Sequence, residues 1–305
     1  MQLRACGPGR LNPWMGPSLR GLLAKPLKER WCHWEPQVRD RDYRHCAGCP
    51  HQRRCDYAQL LEPGPVDPVV VGRWNAPHGL AIIPDFPVPP EAMPDGRSVA
   101  LGVMLQFLDP SAGIIDEVVH HLDRCGRQFG LGGDRVRFRV SRDDQPPQRW
   151  DWLSSLLGSG RELPVESVRT CSLRITTATP ITLKRDGAVV QQPDLVDWVA
   201  GSLRLVRSLL SRETSETIGL GAERVDQYKR LAAPATNGPA DWKPLNYERA
   251  SNRSGDRYRV PAITGRGEYH DVPMPLARLI AVAGNLGIGQ NRVCGNGQVR
   301  CDVIG

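Results

Sequence analysis

The same order of predicted elements occurs on both sides of a break in composition at residues 141–164, and this recurrence constrains the fold more than any other feature of the sequence. The spacing of apolar residues before the break predicts five elements: a helix over 18–31, strands over 66–74 and 98–108, a helix over 111–127 and a strand over 134–140. A short additional strand near Leu3 would complete a βαββαβ unit.

The sequence after the break predicts six elements: a strand or hairpin over 167–183, a helix over 195–210, strands over 245–249 and 257–269, a helix over 275–282 and a strand over 298–304. Two βαββαβ units in one chain predict an α+β fold of two ferredoxin-like domains in tandem, over 1–145 and 165–305. We expect the first domain to carry a cysteine-rich insertion at 32–64. Prolines at 84–96 predict an extended surface loop, because proline cannot donate a backbone hydrogen bond.

The overall composition indicates a folded cytoplasmic protein. Hydrophobic residues make up 40% of the chain, which is enough to form a packed core. No stretch approaches the roughly 18 consecutive apolar residues of a membrane span. The first residues contain no apolar segment of signal-peptide length, so we do not expect secretion.

Arginine carries most of the positive charge. The formal net charge is +7, from 40 basic and 33 acidic residues, and all but five of the basic residues are arginine. Arginine binds phosphate through paired hydrogen bonds and stacks on bases, which suits nucleic acid. GC-rich coding DNA would also raise the arginine content, so the positions of these residues must decide between the two explanations.

Alternation within 134–140 predicts that Arg135, Arg137 and Arg139 point to one face of a strand. Arg257 and Arg259 have the same spacing in the second domain. If the two sheets face a common cleft, these arginines form a positive groove for an RNA backbone; the alternative is a solvated surface. Aromatic residues total only 6%, so we expect recognition of stem shape and phosphate rather than of many splayed bases.

Two Gly-x-Gly pairs lie between the last predicted helix and the last predicted strand. Glycine permits positive φ and lets a phosphate approach backbone amides, and an arginine between the pairs adds charge. The alternative is a tight structural loop. A dinucleotide site does not fit, because the glycines follow a helix instead of opening one. The residues predicted to contact RNA are Gly287, Gly289, Gln290, Asn291, Arg292, Gly295 and Gly297.

Three segments together resemble one known family. Residues 245–301 contain Asn-Tyr-Glu-Arg-Ala-Ser at 246–251, Arg-Val-Pro at 259–261, Gly-Arg-Gly-Glu-Tyr at 265–269 and then both Gly-x-Gly pairs. Residues 130–138 resemble the glycine-rich end of that family's first domain, and residues 46–63 resemble its cysteine-bearing branch. The family is that of the CRISPR precursor-RNA-processing endoribonucleases of the RAMP superfamily.

The resemblance implies two ferredoxin-like domains that bind the repeat of a CRISPR transcript, often as a stem-loop. It implies a single cut on the 3′ side of the stem, by attack of a 2′-hydroxyl on the adjacent phosphate without a metal. The products would be a 2′,3′-cyclic phosphate and a 5′-hydroxyl, formed with the help of a base, an acid and a cation. The resemblance also implies that the protein can stay on the product hairpin, together with other subunits of a CRISPR effector complex.

The resemblance implies a catalytic histidine in or near the first helix, but residues 18–30 contain none. We therefore predict that His33 acts as acid or base and that Arg20 stabilises the phosphate charge, with Arg39 and Tyr43 as lesser candidates. His33 follows Cys32 and is explained equally well as a surface or metal-adjacent histidine. Some members of the family use lysine or arginine in place of histidine.

Four cysteines, Cys32, Cys46, Cys49 and Cys55, are spaced C-x13-C-x2-C-x5-C. A C-x2-C pair with two further thiols matches the ligands of tetrahedral zinc. Such an ion would be structural, because the cleavage chemistry implied above needs no metal and the loop is too polar to fold alone. The alternatives are four unconnected thiols or an iron–sulfur cluster.

Three functions therefore stay open. The sequence favours a metal-independent endoribonuclease that matures CRISPR RNA. A non-catalytic RAMP subunit that binds guide RNA is the first alternative, because the first helix has no histidine. A zinc-bearing DNA-binding regulator is the second, although the terminal Gly-x-Gly loop does not supply a recognition helix.

Overall fold

Each half of the chain forms a four-stranded antiparallel sheet with helices packed against one face. The computed structural model describes residues 1–34, 46, 49–63, 78–88, 91–92, 99–108, 110–111, 113–142, 148–157, 169–210, 222–250 and 257–304. The predicted α+β fold of tandem ferredoxin-like domains is confirmed. The predicted strand over 66–74 lies outside the described residues.

The first half contains ten helices and strands among its described residues. In chain order they are β1 (Gln2–Ala5), β2 (Gly9–Arg10), α1 (Gly16–Trp31), α2 (Asp56–Leu61), β3 (Leu80–Pro84), β4 (Glu91–Ala92), β5 (Ala100–Phe107), α3 (Ile114–Gln128), β6 (Phe138–Ser141) and α4 (Trp152–Leu157). The sheet has the order β3-β5-β1-β6, in which the first and third strands of the unit are central. This is the strand order of a ferredoxin-like domain.

The second half repeats this arrangement with longer strands. Its elements are β7 (Thr170–Thr177), β8 (Lys184–Arg185), β9 (Ala188–Val189), α5 (Leu195–Leu210), α6 (Ala222–Ala232), β10 (Thr236–Ala250), β11 (Arg257–Pro273), α7 (Met274–Leu286) and β12 (Val299–Ile304). The sheet order β10-β11-β7-β12 corresponds to that of the first half.

Strand β10 is much longer than the predicted strand over 245–249. It lies at an edge of the sheet and pairs with β11 from Thr236 to Ala250, with a bulge after Asn237. Pro239 and Pro244 lie within this strand. Proline is tolerated on an edge strand because it removes a donor that no neighbour needs.

The apolar face of each main helix covers its own sheet. In α1, Leu19, Leu23 and Leu27 are fully buried, at a spacing of one helical turn. The predicted helix over 195–210 agrees with α5 at both ends. No helix within the described ranges is long and apolar enough to cross a membrane.

The strand predicted over 134–140 is shorter than expected. Residues 132–135 form a turn in which Arg135 has a φ of 51°, and β6 begins only at Phe138. Arg135 therefore does not share a strand face with Arg137 and Arg139. The two latter residues are exposed, whereas Val136 and Phe138 are buried.

Candidate functional site

The glycine-rich loop at 287–298 packs between the two domains. Val293 and Cys294 are buried in the core of the first domain, although they belong to the second. A Cβ on Gly295 would lie 2.3 Å from Ile82 O, and one on Gly16 would lie 1.8 Å from Cys294 O. Glycine is required at both positions because the two backbones approach this closely.

Arg292 ties the same loop to the first domain. Its side chain is 4% exposed, and its Nη2 donates to Gln106 Oε1 at 2.8 Å. Its Nη1 donates to His78 O and its Nε to Leu286 O. This corrects the predicted phosphate contact for Arg292, because its guanidinium is used inside the protein. Gly287, Gly295 and Gly297 are buried as well, so they cannot receive a phosphate either.

Three residues of the loop remain at the surface. Gly289, Gln290 and Asn291 are half-buried. Asn291 has a φ of 61°, and its Oδ1 accepts a hydrogen bond from Arg249 Nη1 at 2.7 Å. The exposed part of the loop thus lies beside a cation of β10.

A chain of hydrogen bonds supports this surface from below. Trp14 Nε1 donates to Asn296 Oδ1 at 3.1 Å, and Asn296 Nδ2 donates to Tyr247 OH at 2.9 Å. Trp14, Tyr247, Val260 and Ala262 also form a separate apolar cluster, against which Phe86 packs. The far end of the β10–β11 hairpin is therefore fixed to the first domain, and Arg249 with it.

Two arginines from different domains act on the same buried thiol. Burial raises the pKa of Cys294, and the positive charges of Arg249 and Arg20 oppose this rise. Arg20 Nη2 donates to Leu61 O at 3.3 Å. Arg20 Nε is buried and has no hydrogen-bond partner among the described residues. Helix α1 packs against both β10 and the turn at Arg292–Cys294, and we call the region of Arg20, Arg249 and Gly289–Asn291 the interdomain cleft.

His33 does not belong to the interdomain cleft. Arg20 lies in the second turn of α1, whereas His33 follows the end of that helix. About 16 Å of helix separates Arg20 from Trp31. The His33 ring instead lies 5.3 Å from that of His51. This corrects the prediction that His33 and Arg20 act together. Arg39 and Tyr43 lie outside the described residues.

Exposed arginines line the open face of the first sheet, the face without helices. Arg139 of β6 lies directly opposite Arg4 of β1 in the strand register. Both are exposed, and neither forms an ion pair with a described residue. Arg137 precedes Arg139 on the same face. Like charges opposite each other destabilise a sheet, and an anion bound between them would remove this repulsion.

Arg257 and Arg259 lie on β11 in the extended part of the hairpin. Both are exposed, and Arg257 Nη1 lies 4.0 Å from Glu248 Oε2. Arg259 is opposite Glu248 in the register. These two arginines are therefore partly neutralised by one carboxylate, unlike Arg4 and Arg139.

The four predicted metal ligands come from three places around one cavity at the end of α1. Cys32, Cys46, Cys49 and Cys55 all line it, together with Lys28, His33, Trp34 and His51. Cys46 and Cys55 are buried, and Cys32 and Cys49 are half-buried. Within the described part of the chain, no three His, Cys, Asp or Glu side chains already form a metal-binding group.

Sequence reasoning missed Arg4 and Arg249. Arg249 lies within the segment 246–251 that carries the family resemblance. It follows the buried Tyr247 by two residues, so the two side chains lie on the same face of a strand. Arg4 had no comparable signal, because its position opposite Arg139 depends on the register of two strands from opposite ends of the first domain.

The fold of tandem ferredoxin-like domains is similar to that of solved Cas6 structures. A Cas6 product complex aligns with 13% identity over 99% of this chain and 98% of its own, with a TM-score of 0.52. A partial Cas6-RT-Cas1–Cas2 complex aligns with 9% identity over 100% of this chain and 45% of its own, with a TM-score of 0.51. Thermus thermophilus Cas6 is 12% identical over 99% of this chain and 96% of its own, with a TM-score of 0.48.

The family itself is shown by sequence. The family model AF_1859_N, described as an N-terminal domain, matches residues 1–162, which is more than half of the chain. The chain belongs to this family, and the fold that the resemblance implied is confirmed by the similarity to Cas6 structures. A comparison with curated proteins finds no match.

Proposed function

We propose that this protein binds the repeat of a CRISPR transcript and cuts it once, without a metal, in the interdomain cleft. The observation that carries the proposal is that the half-buried Arg20 of α1 and Arg249 of β10 act on the same thiol, Cys294, and that Arg249 also contacts the half-buried Asn291. Two such positive charges favour an anionic group beside them. A phosphate oxygen is the acceptor that fits arginine best.

The chemistry needs positive charge where the phosphate becomes pentacoordinate. The 2′-oxygen forms a bond to phosphorus while the bond from phosphorus to the 5′-oxygen breaks. The 2′-hydroxyl loses its proton, and the leaving 5′-oxygen gains one. Arginine keeps its own proton, so Arg20 and Arg249 would stabilise the phosphate electrostatically. The half-buried Gly289, Gln290 and Asn291 would hold the neighbouring backbone.

The open face of the first sheet would hold the rest of the RNA. Arg4, Arg137 and Arg139 present three cations on one surface, and Arg257 and Arg259 continue the charge on the hairpin. Such a surface binds phosphates with little dependence on base sequence. The neighbouring solved structures include a Cas6 product complex, which supports a bound reaction product for this fold.

A second function is favoured by one observation. Helix α1 contains no histidine, so the cleft has no strong base from this helix. A RAMP subunit that binds guide RNA without cutting it would need the same arginine surface and no base. Other CRISPR proteins would then be its partners, as in the Cas6-RT-Cas1–Cas2 complexes among the structural neighbours.

Cleavage of a labelled repeat hairpin in EDTA tests the proposal. We expect one cut that leaves a 2′,3′-cyclic phosphate, and no cut when the scissile nucleotide lacks its 2′-hydroxyl. Arg20→Ala and Arg249→Ala should each slow single-turnover cleavage by about 10²-fold, the usual effect of removing one transition-state donor.

Arg30→Ala is the matched control, because Arg30 lies on the same helix with a 62% exposed side chain that pairs with Glu117. Cleavage that is unchanged in both cleft variants would overturn the site. Tight binding without any cut by the unmodified protein would establish the non-catalytic alternative.

A further inference from the structure

The cavity at the end of α1 serves no purpose in the proposed cleavage. It lies at the opposite end of the helix from Arg20, and its walls carry four thiols from separate segments. Cys32 ends the helix, Cys46 and Cys49 belong to the following insertion, and Cys55 begins α2. An apolar contact alone does not explain four cysteines around one small cavity, since alanine or valine would form it equally well.

We propose that Cys32, Cys46, Cys49 and Cys55 bind one zinc ion, which fixes the insertion to the end of α1. Four thiolates are a common ligand set of structural zinc, with Zn–S distances of about 2.3 Å. The thiols line a single cavity, so the ion would draw them together from its walls. Binding releases the four thiol protons and involves no change of oxidation state.

The local backbone suits this ligand set. Cys49 N donates to Cys46 O at 3.0 Å, and Gln52 N donates to Cys49 O at 3.1 Å. The carbonyl oxygens of Cys46 and Cys49 thus each close a turn. Cys32 N donates to Lys28 O at 2.9 Å and so continues the helix up to the cavity. Short chelating turns of this kind are typical of structural zinc sites.

The surroundings suit the charge that would form. Four thiolates and one Zn²⁺ carry a net charge of minus two. Lys28 lines the cavity with a side chain only 5% exposed, and its Nζ lies 3.9 Å from Glu62 Oε2; Trp34 Nε1 donates to Cys49 Sγ at 3.1 Å. A buried cation and an N–H donor to sulfur are the outer contacts that stabilise metal-bound thiolates.

The short elements of the cysteine-rich insertion would need a metal ion to be stable. Its described elements, a 3-10 turn at Gln52–Arg54 and the six-residue helix α2, are too short to be stable alone. Tyr57, Ala58 and Leu61 of α2 are buried in the core of the first domain. A metal link between Cys55 and Cys32 would hold α2 against α1.

Metal analysis of the full-length protein tests the proposal. Protein purified from a zinc-containing medium should hold about one zinc per chain, and Cys49→Ser should reduce this at least threefold. Cys49→His should restore most of the zinc, because histidine is also a zinc ligand. Cys6→Ser is the control, since Cys6 is exposed and lies outside the cavity.

Cobalt(II) titration of the metal-free chain gives a second measurement that does not depend on the folding of a variant. We expect the absorption of a tetrahedral cobalt site with thiolate charge-transfer bands, displaced by one equivalent of zinc. An unmodified protein without metal and without these bands would overturn the proposal. Iron with the absorption of a cluster would overturn the choice of zinc. Neither result would bear on cleavage in the interdomain cleft.

Discussion

The two sheets have the same strand order, but the arginines on their open faces are paired differently. In the first sheet Arg4 and Arg139 are cross-strand neighbours without ion-pair partners among the described residues. In the second, Arg174 Nη2 lies 2.7 Å from Glu268 Oε1, and Arg300 Nε lies 3.0 Å from Asp302 Oδ2. Two ion pairs offset much of the charge on the second face, where Arg266 is also exposed, whereas Arg4 and Arg139 on the first face have no such partner among the described residues. The shared topology therefore does not fix the charge of either open face.

Removing Arg4 and Arg139 should abolish the difference in charge between the two open faces. Arg4→Ala with Arg139→Ala should weaken binding of a repeat hairpin by roughly tenfold or more. The slope of log K against log salt concentration should become shallower by about 2, because two phosphate contacts are lost. Fluorescence anisotropy at several salt concentrations measures both quantities.

Arg127→Ala with Arg142→Ala is the control for net charge. These arginines pair with Asp123 and Asp116, at or beside the ends of α3 and β6, so their loss should leave the salt slope nearly unchanged. Equal effects of the two double variants would mean that net charge, and not the open face of the first sheet, determines binding.

The repulsion between Arg4 and Arg139 should also have a small effect on the free energy of unfolding. Arg139→Thr removes the repulsion from Arg4 and should raise the free energy of unfolding by about 0.5 kcal/mol at low salt. Urea denaturation should show that this gain shrinks at about 1 M salt, because the repulsion is then screened.

Arg300→Thr is the equivalent change in the second sheet, where the arginine faces Thr176 and pairs with Asp302. We expect no gain in stability there. A loss of stability for Arg139→Thr that is independent of salt would show that Arg4 and Arg139 do not repel each other.

The order of elements was predictable because apolar periodicity is a local property of the sequence. Helix α5 and strands β5 and β12 agree closely with it. Strand β3 was not predicted, since all five of its residues are buried and it shows no alternation. The length of β10 was underestimated because its prolines are acceptable only at a sheet edge, which depends on the topology.

The site was less predictable, because its members meet only through tertiary contacts. The glycine-rich loop looked like a phosphate site, and its glycines do permit close approach, but mostly by the protein's own backbone. The sequence predicted Arg292 as an RNA contact, but its side chain is buried and donates to the carbonyl oxygens of Leu286 and His78. The separation of Arg20 from His33 was already present in the sequence, since 13 residues of mostly helical chain cannot bring two side chains together.

Photo-crosslinking of a repeat hairpin, followed by mass spectrometry of the attached peptides, tests the central claim most directly. We predict crosslinks to peptides that contain Arg4, Arg139, Arg20 and Gly289–Asn291, with the scissile nucleotide attached near Arg20. Crosslinks confined to Ser172, Arg174 and Thr176 on the open face of the second sheet would contradict the account.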